Sequence, residues 1–309
     1  MSTEYFPEGP ITDLNLRAGQ EEYYEKQLLS MLHNDPAILA TYKEDLLEKA
    51  SEYNEERDNI LGNLQSGNSE NLLRAASEDI HDDKTVMMNV VNRDASLLRF
   101  ASEDLKHDAD LALEAIKTDN GSLRHVGEDL RNDKEIVIAA VRKRGIDLEY
   151  ASGLLRNDKE VVMEAVEQNG MALSYASEYL RRDKAVVMKA IRENGYALEY
   201  ASKGLRNDPE VVLEAIKKDA GSLNSASREL CNNREFALEV VRQNGLAWSY
   251  FSRELQMDKE IIKEAVKQNA KTIELMFVGN YDDRFLMELY TLNPAIAEYL
   301  LFARFHEGN

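Results

Sequence analysis

An aspartate returns every 25 residues along most of this chain, and that period restricts the fold more than any other feature of the sequence. Stepping from Asp58 reaches Asp83, Asp108, Asp133, Asp158, Asp183, Asp208, Asn233 and Asp258, nine units in register through residue 282 with no insertion. A fixed period of this length marks a repeat architecture, in which each unit is one supersecondary element that buries its apolar face on its neighbours. The 15 Gly and 5 Pro among 309 residues are too few for a turn-rich β protein.

Each unit reads as two short helices. In DKEVVMEAVEQNGMALSYASEYLRR, from Asp158 to Arg182, Asp158 is placed to cap a helix N-terminus, with Glu160 in the first turn where the helix dipole favours acid. Pro209 stands at the matching first helical position of a later unit. Val161, Val162, Ala165 and Val166 form an i, i+3, i+4 stripe, which Asn169 and Gly170 are expected to close as a left-handed C-cap. A second helix is expected from about Met171, with Leu173, Ala176 and Leu180 on its core face. Helices of about 11 residues are marginal alone, so stability must come from stacking. Ala115, Ala140, Ala165, Ala190, Ala215 and Ala265 recur at one position, where a methyl lets helices approach closely.

These features predict an all-α chain: a right-handed or weakly curved α-solenoid of about nine 25-residue helix-turn-helix units with helical caps. The expected boundaries are an extended arm at 1–20, a degenerate N-terminal helical cap at 21–57, the array at 58–282 and a C-terminal helical cap at 283–309. The last of these carries Phe285, Leu286, Leu289 and Tyr290, and then a helix from Asn293 and Pro294 through Ile296, Tyr299, Leu300, Phe302 and Phe305. Surface charges are expected to pair along helices: Glu114 with Lys117, Glu214 with Lys217, Glu239 with Arg242 and Glu264 with Lys267 at i, i+3, and Arg74 with Glu78, Arg99 with Glu103 and Arg124 with Glu128 at i, i+4.

Composition narrows the partners. With 57 acids against 38 bases the formal charge is -19, the wrong sign for a phosphate-binding groove, so nucleic acid is not expected. No run approaches the roughly 18 apolar residues of a membrane span. A single cysteine, Cys231, and a start without a basic region followed by an apolar stretch point to a cytoplasmic setting.

At Tyr150 to Gly170 the string YASGLLRNDKEVVMEAVEQNG resembles the domain of unknown function 4116 family, and the likeness extends over about residues 58 to 282. The chain departs from that pattern at Asn68, where the glycine is shifted to Gly67, and in WSYFS from Trp248 to Ser252. The resemblance implies tandem helical units of a kind found in long proteins of protists and of bacteria living inside them, candidate secreted effectors included. If the chain is such an effector, a start lacking a basic region and apolar stretch leads to the expectation of export without a cleaved signal peptide into a host cytosol. No activity or catalytic residue comes with it.

The residues themselves nominate no catalytic group, no metal site and no cofactor. The column Ser77, Ser102, Ser152, Ser177, Ser202, Ser227 and Ser252 lacks an accompanying base and reads as small packing residues bonding back to their own helix. His81 and His107 lie about one repeat apart, too far for one metal shell. The column Phe100, His125, Tyr150, Tyr175, Tyr200 and Tyr250 reads either as a ladder packing unit to unit or as a ligand-facing stripe. Trp248 and Phe251 replace a core Leu and an Ala, and read as an enlarged core contact or an aromatic anchor. The expected function is a non-catalytic scaffold for protein-protein or protein-peptide interaction, with Tyr150, Tyr175, Tyr200, Tyr250, Trp248 and Phe251 as partner-binding residues. The alternatives are a structural or self-assembling spacer, and an enzyme or metal-binding protein with a cryptic site. The chain is expected as a monomer or weak homodimer.

Overall fold

The computed structural model describes residues 36–64, 68–118, 121–276 and 281–299, and every regular element among them is helical. The expected arm at 1–20, the cap before Pro36, and Leu300, Phe302 and Phe305 lie outside the described residues. The chain forms two compact units, one up to Ile136 and one from Val137 onward. Among the described residues the first begins with the 28-residue helix Pro36–Asn63, so Asp58 lies inside a helix and capping aspartates begin at Asp83.

From Asp83 the 25-residue period produces one ten-residue helix per repeat. Asp158 shows why: its carboxylate accepts from the amides of Glu160 at 2.9 Å and Val161 at 3.2 Å, satisfying two of the four donors a helix start leaves open. Asp183, Asp208 and Asp258 do the same for Lys184–Glu193, Pro209–Lys218 and Lys259–Gln268. Val161, Val162, Ala165 and Val166 are fully buried, as the stripe predicts. The helix Lys159–Gln168 packs on Lys184–Glu193 and on the segments Gly145–Tyr150 and Gly170–Tyr175.

The second half of the repeat is not one helix. Gly170–Tyr175 is a 3-10 helix, the chain becomes extended at Ala176 with ψ 153°, and a separate turn comes at Leu180–Arg182. Two side chains cause the split. Asn169 is extended, with φ -153°; its amide closes the helix before it by donating to the Ala165 carbonyl at 2.9 Å, and its side chain accepts from the Met171 amide at 3.0 Å, so the same residue caps the 3-10 segment after it. The Ser177 hydroxyl accepts from the Leu180 amide at 3.2 Å and restarts the chain a second time. The expected left-handed cap at Asn169 and Gly170 is therefore absent, and among the described residues only Gly121, with φ 97°, occupies that region.

Gly170 has a different purpose. A Cβ built there would lie 2.2 Å from the Ala190 carbonyl oxygen of the next repeat, and Gly145 and Gly245 meet the Ala165 and Ala265 carbonyls at 2.2 and 2.3 Å. The glycine and alanine columns are thus two sides of one close approach between repeats. Hydrogen bonds extend it, since the amides of Gly145 and Gly245 donate to Gln168 and Gln268 of the following repeats at 2.5 and 2.7 Å.

The serines also join repeats. The Ser177 amide donates to the Arg156 carbonyl at 2.8 Å and its hydroxyl lies 2.5 Å from the Asn157 amide oxygen; Ser202 and Ser227 repeat the backbone bond onto Arg181 and Arg206. The serines bond back to their own turn as expected, Ser177 to Leu180 and Ser202 to Leu205, and the contact between repeats is added to that. In the first unit Ser102 bonds the His81 carbonyl in the same way.

Ion pairs conform to the split backbone. Glu114–Lys117, Glu214–Lys217 and Glu264–Lys267 form as expected. The pairs Arg74–Glu78 and Arg99–Glu103 do not, because an extended break separates their members; both arginines reach Glu70 instead. Arg242 pairs with Glu264 of the next repeat. Lys159, Lys184 and Arg234 each hold the capping aspartate one repeat on, Asp183, Asp208 and Asp258, at 2.6 to 2.8 Å.

Candidate functional site

The second unit carries a surface that the repeat rebuilds at each step. Along Gly170–Tyr175, Ala172 and Leu173 turn inward and are fully buried, which leaves Tyr175 half-buried at the segment's end. Tyr150 and Tyr200 occupy the same place in adjacent repeats and are half-buried too. Tyr175 has both as electrostatic neighbours, and burial together with the Glu149 carboxylate beside it pushes its phenol above the ordinary tyrosine range. The segments that carry the three tyrosines pack side by side, so the rings recur along one face of adjacent repeats.

Two extended residues beyond each tyrosine, the chain turns again and presents a second row. Leu154 and Tyr179 sit on this turn with 75% and 73% of their surface exposed, so two large apolar side chains face water where the repeat could have kept polar ones. Arg156, Arg181 and Arg206 come next. Each has its Nε buried without a hydrogen-bond partner, and none takes part in an ion pair among the described residues.

At the same column position earlier in the chain Lys106 and Arg131 are cations too, but each is paired in its own repeat, with Glu103 at 2.7 Å and Glu128 at 3.6 Å. The remaining repeats hold other side chains there. His81 Nε2 lies 2.8 Å from the Leu73 carbonyl oxygen, Cys231 Sγ 3.8 Å from that of Leu223, and Gln256 Nε2 donates to the Ser249 and Phe251 carbonyls at 2.8 and 2.9 Å. Those side chains are spent on their own repeat. The guanidinium groups of Arg156, Arg181 and Arg206 are not.

Arg181 and Arg206 open onto a groove of about 900 Å³ whose walls also include Tyr200, Ser202, Lys203, Glu178 and Glu199. Counting Arg182, its lining has four basic and two acidic side chains in a chain of net charge -19, and Glu178 is already engaged by Arg182.

Of the residues expected from sequence, Tyr150, Tyr175 and Tyr200 are brought together. Tyr250 is 37% exposed and lies outside this row, because Ser225 interrupts the column. Trp248 and Phe251 are corrected: both are buried, with Phe251 edge-on to Phe236 at 6.3 Å, so they fill the core and offer no anchor to a partner. The arginine row was missed. Its signal was in plain view as the recurring LRN and LRR strings, but a residue present in every unit reads as architecture.

Of the described histidines, two sit in contacts within the fold. His81 stacks near Phe100 at 6.4 Å and His107 pairs with Asp129. Among the described residues no group of three or more His, Cys, Asp or Glu is placed to hold a metal ion, and no helix is long and apolar enough to cross a membrane.

No curated protein and no solved structure matches the chain. A family model does, that described as Domain of unknown function (DUF4116), at residues 83–131, 108–153, 133–181, 183–231 and 233–277. These matches track the repeats from the first capping aspartate onward and cover more than half of the sequence. The chain belongs to the DUF4116 family.

Proposed function

We propose that this chain is a non-catalytic repeat scaffold that offers the tyrosine and arginine rows of its second unit to a protein or peptide partner. One observation carries the reading: Leu154 and Tyr179 are exposed beside a half-buried tyrosine row, at positions where burial is not what keeps them. Rings with a polar tip are enriched at interfaces because they bury apolar area and still satisfy one hydrogen bond. An effector acting on host proteins in a host cytosol is a special case of the same reading, and a cytoplasmic setting suits a chain with one cysteine.

The test is a double variant, Tyr175→Ala with Tyr200→Ala, challenged with a random peptide display library. The parent should enrich a peptide set and the variant should lose it, since truncating an interface anchor costs about 2 kcal/mol or more. Its melting temperature should stay near the parent's. Early melting, on the scale of about 3–5 kcal/mol for each buried aromatic lost, makes the row structural and refutes the proposal. So does a variant that keeps the selected peptides.

A second reading rests on Met287, Tyr290 and Leu292, which are exposed on the helix Asp283–Leu292 and would suit a self-assembling spacer. Light scattering across a concentration series separates the two, because self-assembly requires a mass that rises with concentration.

A further inference from the structure

The arginine row specifies the partner more narrowly than the tyrosines do. Almost every cation near it is neutralised within the fold: Lys159 by Asp183, Lys184 by Asp208 and Glu210, Lys189 by Glu167, Arg192 by Glu214. Arg156, Arg181 and Arg206 are left without an acid although the chain has 57 of them, and their Nε groups are buried without a partner. The Nε atoms face into the fold, as that of the paired Arg131 also does, so a ligand meets these side chains through their terminal Nη groups, which no acid of the described residues holds and from which an external carboxylate can accept charged hydrogen bonds. The groove at Arg181 and Arg206 has a basic excess against the sign of the whole molecule.

The repeat sets the spacing of the acids. Packed helical repeats advance by roughly 8–10 Å, and the arginines advance with them. A polyproline II strand has three residues per turn and a rise of about 3.1 Å, so every third side chain falls on one face about 9.3 Å apart. An acid at each third residue of such a strand meets successive arginines. The tyrosine row beside them supplies the aromatic wall against which extended proline-rich strands pack.

We propose that the second unit binds an extended acidic peptide, with Asp or Glu at every third residue paired to Arg156, Arg181 and Arg206. This rests on the scaffold reading above and gives it a ligand class.

The experiment uses the full chain and a fluorescein-labelled peptide of five Glu-Pro-Pro triplets, about 45 Å long at the polyproline II rise. Two control peptides replace every Glu by Gln, or gather the five Glu at one end. Anisotropy should show saturable binding of the spaced peptide that weakens as salt is raised. Binding should fall by about tenfold or more with the Gln peptide, and likewise with the Arg181→Gln, Arg206→Gln variant, as loss of charged hydrogen bonds requires. Arg192→Gln, which removes a cation already paired with Glu214, should leave binding unchanged.

Absence of saturable binding, equal binding of the Glu and Gln peptides, or equal binding of spaced and gathered acids overturns the proposal. The peptide comparisons use the parent chain, so they decide the matter even where the arginine variant does not fold. A single-stranded oligonucleotide that binds through the same arginines more tightly than the acidic peptide also overturns it. The scaffold reading fails separately, through the Tyr175 and Tyr200 variant; library peptides that depend on those tyrosines but ignore the arginines would leave it standing and remove this one.

Discussion

Replacing Gly170 by Ala tests how the repeats are joined. Nothing in the backbone forbids the change, because Gly170 lies outside the left-handed region, and in the unfolded chain alanine has less freedom to lose, a gain of about 0.4–1 kcal/mol. The obstacle is the next repeat. The new methyl would sit 2.2 Å from the Ala190 carbonyl oxygen and 3.0 Å from the Asn194 amide nitrogen, both backbone atoms that no rotamer change can move. The two repeats must separate by most of an ångström, and overpacking of this kind costs about 1–3 kcal/mol. The net expectation is a loss of about 1–2 kcal/mol by these two estimates. Gly204 is the internal control: a Cβ there meets nothing within 4 Å, and its φ of -62° and ψ of -44° suit alanine. Gly204→Ala should therefore gain the entropic term undiminished. Urea unfolding monitored by far-UV circular dichroism should place the Gly170→Ala midpoint below the parent and the Gly204→Ala midpoint at or above it. Equal midpoints for the two variants would refute the idea that glycine is present for close approach.

The remaining predictions concern packing, charge and the aromatic core. Ala165→Leu, at a fully buried position, should cost about 1–3 kcal/mol by overpacking, whereas Glu164→Ala, which removes only an exposed pair with Arg142, should cost less than about 1 kcal/mol in the same urea assay. The Lys159 ammonium holds the Asp183 carboxyl below its usual range and the Arg234 guanidinium does the same for Asp258. Carboxyls depressed in the folded state stabilise it fully above their unfolded value near about 4 and cease to do so as pH falls through the folded value. The stability difference between parent and Asp183→Asn should be constant from neutral pH to about 5 and shrink below about 4; a difference that grows on acidification contradicts the assignment. Trp248 is the only tryptophan and is buried, so acrylamide should quench its emission weakly in the native chain and strongly in urea. Phe251→Ala should cost about 3–5 kcal/mol, and a surface-like cost below about 1 kcal/mol would return it to the partner surface.

How much of the fold is legible in the sequence depends on which contacts are local. An aspartate capping its own helix, and a valine and alanine stripe on one face, act within about ten residues, and the structure places Asp158, Val161, Val162, Ala165 and Val166 as that pattern requires. The second half of the repeat departs from expectation because apolar spacing alone cannot separate one helix from two short turns. Asn169 and Ser177 make the difference by accepting from amides two and three residues ahead. Gly170 reads as a C-cap because a glycine after a helix usually is one; its actual constraint comes from Ala190, twenty residues away, and has no local trace. The site divides in the same way. Tyr150, Tyr175 and Tyr200 can be named from their column, while Trp248 and Phe251 are drawn into it by their size alone. The arginine row becomes visible only once every neighbouring cation has been matched to its acid, which needs distances.

Hydrogen exchange of the full chain with and without the spaced Glu-Pro-Pro peptide tests the central claim most directly, because it reports where the surface is covered. Added protection should fall on the stretch from Tyr175 through Arg182 and on that from Tyr200 through Arg206, and spare the helices Lys159–Gln168 and Lys184–Glu193, whose amides are already hydrogen-bonded in the core of the repeat. Protection confined to the helix Asp283–Leu292, or none anywhere at a saturating peptide concentration, would contradict the assignment of the tyrosine and arginine rows as the binding surface.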